Sequence, residues 1–192
     1  MLKPQINLQQ FCGDDAYAER REIHRPFSAD GLTWACNGHI AVRVPALPEY
    51  GPQKKPLGMK NIAAMIDGFD GDFTPMSLFD LPEFTEKTTK VECEECDGRG
   101  TEHDCPACTC TCDECGGKGS YEKTTQVSAG ILGGIFNLKY LHMVAALPGA
   151  EIGVSKSGEI ASFRFDGGDG ALMGIWGEYK IHHALSPKTQ AA

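Results

Sequence analysis

Seven of the nine cysteines in this 192-residue chain fall at 93, 96, 105, 108, 110, 112 and 115. They include three Cys-x-x-Cys turns: CEEC at 93–96, CPAC at 105–108 and CDEC at 112–115. Such a turn presents two thiolates on one side of a tight reversal, and a pair of turns supplies the four sulfurs, each about 2.3 Å from the metal, that tetrahedral zinc takes. Two of the turns run on into the same tail, CEECDGRG and CDECGGKG, which places Gly98 and Gly100, or Gly117 and Gly119, two and four residues past the second cysteine. These glycines let the chain double back and aim N–H groups at the sulfurs. Three other chemistries of clustered cysteine compete. An odd, CxxC-paired set in a chain whose first residues, MLKPQINLQQ, lack the apolar run of a leader does not suit disulfides. A redox CxxC expects a thioredoxin-like βαβ setting, which the sequence does not show, and an iron–sulfur cluster is the third. The spacings favour structural zinc.

The stretches 93–100 and 112–119 resemble the cysteine-rich domain of DnaJ-type chaperones, where the outer repeats share one metal and the inner repeats another. The resemblance implies a first zinc site made of Cys93, Cys96, Cys112 and Cys115. The inner stretch HDCPACTC departs from the family pattern, because CPAC is not followed by x-Gly-x-Gly. A second site would draw on Cys105, Cys108 and Cys110 with His103, a three-sulfur, one-nitrogen set in which the Cys108-x-Cys110 spacing strains a single chelate. The expectation is therefore one zinc per chain, or two if the inner set closes. Cys12 and Cys36 stand alone among apolar residues and read as small buried hydrophobes.

The finger needs a body to carry it. Apolar residues make up 41% of the chain and charged residues 23%, which is enough for one core and too polar for a membrane span. The net charge of −8 is uneven: residues 91–119 hold eight acids and two bases, leaving the remainder at −2. An acidic projection on a near-neutral body follows. In GLTWACNGHIAVRVP (31–45), apolar alternation about Asn37-Gly38 predicts a hairpin. Ile62, Met65, Ile66 and Phe69 are spaced for one face of a helix, as are Tyr140, Leu141, Val144 and Leu147 after the capping residue Asn137. SYEKTTQV, ILGGIF, AEIGVS, EIASFRF and ALMGIW read as strands, Asp166–Gly170 as a loop, and SPKTQAA as a disordered tail. Asn37-Gly38-His39 reads as a plain turn, His182-His183 as solvated residues, and Tyr140 with His142 as packing and surface residues.

This order of elements, with CNGHIA at 36–41, FNLKYL at 136–141 and ALMGI at 171–175, is similar to one domain of the bacterial DNA polymerase sliding clamp family. The likeness spans roughly residues 5–90 and 120–177. It implies an α+β, DNA-clamp-like domain of antiparallel sheets with two helices (1–90 and 120–180), an inserted zinc-binding hairpin finger (91–119) and a C-terminal tail (181–192). The two-part design looks phage-like. A clamp of one domain per chain would need about six copies to close a ring, and Asn37 and Gly174 replace the family's Asp and Pro.

Walker A, G-x-S-x-G and H-E-x-x-H signatures are absent, and an all-thiolate metal site leaves no open position for water, so no catalysis is expected. The first expectation is a non-catalytic, zinc-binding, clamp-like accessory of phage DNA replication or metabolism, cytoplasmic in its host. It would be homo-oligomeric, dock a protein partner through the finger and hold duplex DNA weakly through Lys54, Lys55, Lys60 and Lys139. The edge strand for self-association would be ALMGIW or the stretch around INLQQF. The alternative is a protein-interaction module in which the acidic finger binds a partner or exposed peptide, with no DNA role. A continuous basic strip on the two helices would favour the clamp, and its absence the interaction module.

Overall fold

A computed structural model of the chain describes residues 6–13, 24–52, 58–102, 110–176 and 181–188. The chain divides into two compact units, Met1–Phe84 with Val127–Ala192, and Thr85–Gln126. The strands are β1 (Phe27–Ala29), β2 (Leu32–Cys36), β3 (Ile40–Pro45), β4 (Thr74–Pro75), β5 (Thr88–Glu92), β6 (Thr101–Glu102), β7 (Cys110–Thr111), β8 (Ser120–Thr124), β9 (Ser128–Ile131), β10 (Gly134–Asn137), β11 (Glu151–Val154), β12 (Ile160–Phe165), β13 (Gly168–Met173) and β14 (His183–Leu185). The helices are α1 (Met59–Asp67) and α2 (Leu138–Ala145). The protein is mixed α+β, with sheets that are antiparallel apart from the β14–β9 pair.

In the larger unit a seven-stranded sheet runs β1-β2-β3-β13-β12-β11-β4, and a three-stranded sheet runs β10-β9-β14. Alternation along β2 and β3 sorts side chains between two clusters. Ala35, Ile40, Val42 and Val44 join the main core with Phe136, Phe163, Leu172 and the α2 residues Leu138, Leu141 and Val144. Trp34, Cys36 and Ala41 face the other way and meet Met59 of α1. The two helices therefore pack on opposite faces of the seven-stranded sheet.

Several elements differ from the reading of the sequence. INLQQF is no strand: Asn7 accepts the Gln9 N–H through its side chain and opens a 3-10 turn, Leu8–Phe11, whose period of three buries both Leu8 and Phe11. ALMGIW is no edge. Its strand, β13, lies between β3 and β12, and it begins earlier than expected because only Asp166 and Gly167 form the turn. Gly168 and Gly170 are strand residues whose missing side chains leave room for the rings of Phe165 and Phe163 from β12. ILGGIF is two strands, joined by Leu132-Gly133. In α1 the face packed on the sheet is Met59, Ile62, Ala63 and Ile66, and Met65 is exposed. The expected tail contributes β14, paired in parallel with β9, and the Lys188 N–H donates to the Leu78 carbonyl.

The smaller unit is a ribbon. β5 and β8 pair antiparallel, setting Lys90 opposite Glu122 and Val91 opposite Tyr121, and β6 pairs with β7. It extends past 91–119 at both ends because these stalk strands belong with it.

Candidate metal centre

The two CxxCxGxG stretches fold into copies of one knuckle, nineteen residues apart. In the first, the Gly98 N–H donates to the Cys93 carbonyl (3.1 Å) and the Arg99 N–H to the Cys96 carbonyl (3.0 Å). In the second, Gly117 donates to Cys112 and Lys118 to Cys115, each at 3.2 Å. The copies then lock together reciprocally: the Cys93 N–H donates to the Gly119 carbonyl and the Cys112 N–H to the Gly100 carbonyl, both at 3.0 Å. That exchange brings backbone to backbone where no side chain fits. A Cβ on Gly100 would fall inside contact distance of the Gly117 carbonyl, and one on Gly119 would meet the Gly98 carbonyl. Both glycines also have positive φ, 77° and 68°.

This packing gathers Cys93, Cys96, Cys112 and Cys115, all buried, with their sulfurs within 4.8 Å of one another. Sγ to Sγ is 3.8 Å from Cys93 to Cys112 and 3.8 Å from Cys96 to Cys115. A disulfide would require about 2.05 Å. Four sulfurs placed about 2.3 Å from a central ion stand about 3.8 Å apart along the edges of the tetrahedron, so the spacing suits a metal. Backbone groups also point at two of the sulfurs: the Gly100 N–H donates to Cys96 Sγ and the Gly119 N–H to Cys115 Sγ, each at 3.2 Å, contacts that would orient a thiolate and favour its negative charge. Burial opposes ionisation of the Cys115 thiol, yet the Gly119 N–H and the neighbouring thiols overcome it and draw it down to about 7. Cys112 is held up at about 12, because burial and the surrounding thiols outweigh the backbone bond at Cys115 that would lower it. Thiols crowded in this way ionise together only around a cation.

Among the described residues this is the one group of Cys, His, Asp or Glu placed to hold a metal ion. Cys110 lies on β7, exposed and outside the cluster, while His103, Cys105 and Cys108 lie outside the described residues. Lys54 and Lys55 do as well. Lys60 is exposed on α1 and Lys139 is half-buried on α2, so the two stand on opposite sides of the seven-stranded sheet and share no strip. The lone cysteines behave as small hydrophobes: burial pushes the Cys12 thiol up to about 11 and raises Cys36, which accepts the Gly38 N–H at 3.2 Å.

Two arrangements escaped the sequence reading. CNGHIA, FNLKYL and ALMGI meet at one spot, where the His39 ring stacks on Tyr140 at 5.7 Å, the Asn37 amide donates to the Tyr140 hydroxyl at 3.5 Å, and the Met173 N–H donates to the His39 carbonyl at 2.8 Å. Arg43 binds Asp169 through two nitrogens, binds Asp67 at the end of α1, and lies 5.6 Å from the centre of the Trp34 ring. No signal in the sequence paired residues 126 positions apart. No helix among the described residues is long and apolar enough to cross a membrane. Comparison with protein-family models, curated proteins and solved structures returns no match for this chain.

Proposed function

We propose that the smaller unit is a structural zinc finger through which this protein docks on a basic segment of a partner protein, and that the chain is not an enzyme. The observation that carries this reading is the division of the knuckles into a buried all-sulfur interior and an acidic exterior. Glu94, Glu95 and Asp97 on one copy and Asp113 and Glu114 on the other are exposed around the buried cysteines. Four thiolates saturate zinc and leave it no site for substrate or water, so the metal shapes a surface and does not react. Surface carboxylates held on a rigid turn steer a cationic partner and set its orientation.

Titration of a lysine-rich peptide against the zinc-loaded protein tests this. Binding should weaken with salt, and should be lost on chelation and in Glu94→Lys with Glu114→Lys. Equal binding by the charge-reversed protein sinks it. A second reading, the clamp-like DNA accessory, keeps one specific observation in its favour: the three segments that resemble the clamp family meet around His39 and Tyr140. Against it stands the placement of Lys60 and Lys139 on opposite sheet faces. Salt-sensitive binding of duplex DNA that Lys60→Glu and Lys139→Glu abolish would move the conclusion to that reading.

A further inference from the structure

Among the described residues three polar side chains are buried: Thr33, Ser128 and Ser162. Two of them are satisfied. Thr33 Oγ1 lies 2.9 Å from Ser28 Oγ and accepts the Leu47 N–H at 2.9 Å, and Ser128 Oγ lies 3.1 Å from His182 Nδ1. Ser162 is 2% exposed, and its Oγ has no hydrogen-bond partner in the protein. A buried hydroxyl without a partner costs stability. Packing does not call for it either, because Ser162 stands in register between Gly153 of β11 and Ala171 of β13, where an alanine would fill the row as well. The hydroxyl needs a use that the fold does not supply.

Its surroundings point to one. The row faces α1, since Ala171 pairs with Ala41, which packs with Met59. There Ser162 lines a cavity of about 360 Å³ between the end of α1 and the β11–β12 hairpin. Met65 and Phe69 form one wall, and Val154 and Ile160 the other. The Phe69 ring is held in place: it lies over Gly153, where a Cβ would collide with it, and it meets Phe73 edge-on at 5.0 Å. The mouth carries one charge of each sign, Asp70 from the α1 side and Lys156 from the hairpin turn, both exposed. Small-molecule sites are cavities of about 300–1,000 Å³, mostly apolar, in which a few polar groups fix the orientation of the ligand.

We propose that this cavity binds a free, small zwitterion with a hydroxylated aromatic ring, an amino acid of the tyrosine type. Each part of the site selects one part of the ligand. An aromatic ring suits the edge of Phe69 and the thioether of Met65. A hydroxyl on the far side of that ring gives Ser162 the partner it lacks. At the mouth, Lys156 complements a carboxylate and Asp70 an ammonium, so a ligand with both is favoured over an anion or a cation alone. The site lies in the larger unit and does not depend on the finger or on its partner.

Amide-shift titration of the full, zinc-loaded chain with L-tyrosine, L-phenylalanine and N-acetyl-L-tyrosinamide is the experiment, with Ser162→Ala beside the parent. L-tyrosine should bind with a Kd of about 0.1–1 mM and move amides of residues 65–71 and 153–162. L-phenylalanine, which lacks the hydroxyl, should bind about tenfold more weakly, and the blocked amide, which lacks both charges and stands for a tyrosine within a peptide, about fivefold more weakly. Ser162→Ala should bring L-tyrosine down to the affinity of L-phenylalanine and leave L-phenylalanine unchanged. The free variant should melt no lower than the parent, because the hydroxyl it loses has no partner in the fold. A melting temperature that falls would show that the hydroxyl is bonded within the protein, and overturns the proposal. No binding of L-tyrosine at about 2 mM, or equal binding of L-tyrosine and L-phenylalanine, overturns it too, with the hydroxyl then served by water alone. Tighter binding of the blocked amide would make the occupant a peptide side chain and overturn the assignment to a free amino acid.

Discussion

In the larger unit, both sheets and α2 converge on a core that includes Phe11, Phe136, Phe163, Leu141 and Ile152, each 1% exposed or less. In the finger the corresponding cluster among the described residues is Cys93, Cys96, Cys112 and Cys115. Val91 and Tyr121 on the stalk are only half-buried and exposed, respectively. A segment of roughly 40 residues cannot bury enough apolar surface to offset its conformational entropy, and folds of that size lean on a metal or on disulfides. The two units thus use different chemistry for the same task, and they should fail under different insults.

The largest expected effect is on the finger alone. Chelating zinc, or Cys112→Ser, should remove on the order of 10 kcal/mol of local folding energy. Amide exchange should then become fast in 93–100 and 112–119 while the larger unit melts as before. Protection that survives in metal-free finger breaks the comparison. The thiols also fix the pH dependence. Cys93 and Cys112 are raised, so each must lose a proton to bind metal at neutral pH, and below about 7 Cys115 must do so too. Zinc affinity should fall at least about a hundredfold per pH unit as pH drops from about 9 to 7, and at least about a thousandfold per unit below that. Competition with a chromophoric chelator across this range measures the slope.

The reverse insult comes next in size. Phe163 is 1% exposed in the main core, and its ring also fills the space above Gly170 of β13. Phe163→Ala should cost about 3–5 kcal/mol by denaturant titration of the larger unit. Zinc content and finger protection should not change. A loss of metal in this variant would show that the two units share one cooperative transition.

The same contrast explains what the sequence disclosed. The outer cysteines were legible because a metal site needs particular residue types at short spacings, and the nineteen-residue repeat carries its own glycines. Local signals also gave the β2–β3 hairpin, with Asn37 Oδ1 accepting the His39 and Ile40 N–H groups, and α2, with Asn137 accepting the Lys139 N–H. What failed was decided at a distance. ALMGIW has the alternation of any strand, and only the pairing of Ala171 with Ala41 on one side and Ser162 on the other makes it central. Gly168-Asp169-Gly170 looks like a loop until Phe163 and Phe165 are laid over the glycines. The opposite placement of the helices follows from the parity of Trp34 and Ala35 on one strand. That parity is visible in the sequence, but which helix it meets is not.

The smallest effect probes how the larger unit holds α1. Arg43 is 11% exposed and makes a two-point contact with Asp169 (2.5 and 3.1 Å), while its 2.6 Å contact to Asp67 ends on a carboxylate that is 63% exposed. Geometry and solvent rank these contacts differently from distance alone. A bidentate pair against Trp34, sheltered on one side, keeps much of its strength, whereas water and salt screen the Asp67 contact and leave it worth about 0.5 kcal/mol or less. Asp169→Asn should therefore destabilise the larger unit by about 1–2 kcal/mol, and Asp67→Asn by a few tenths, vanishing in high salt. Equal costs for the two, or an Asp67 effect that persists in about 1 M salt, would mean that the end of α1 is held by charge and not by Met59, Ile62, Ala63 and Ile66 against the sheet.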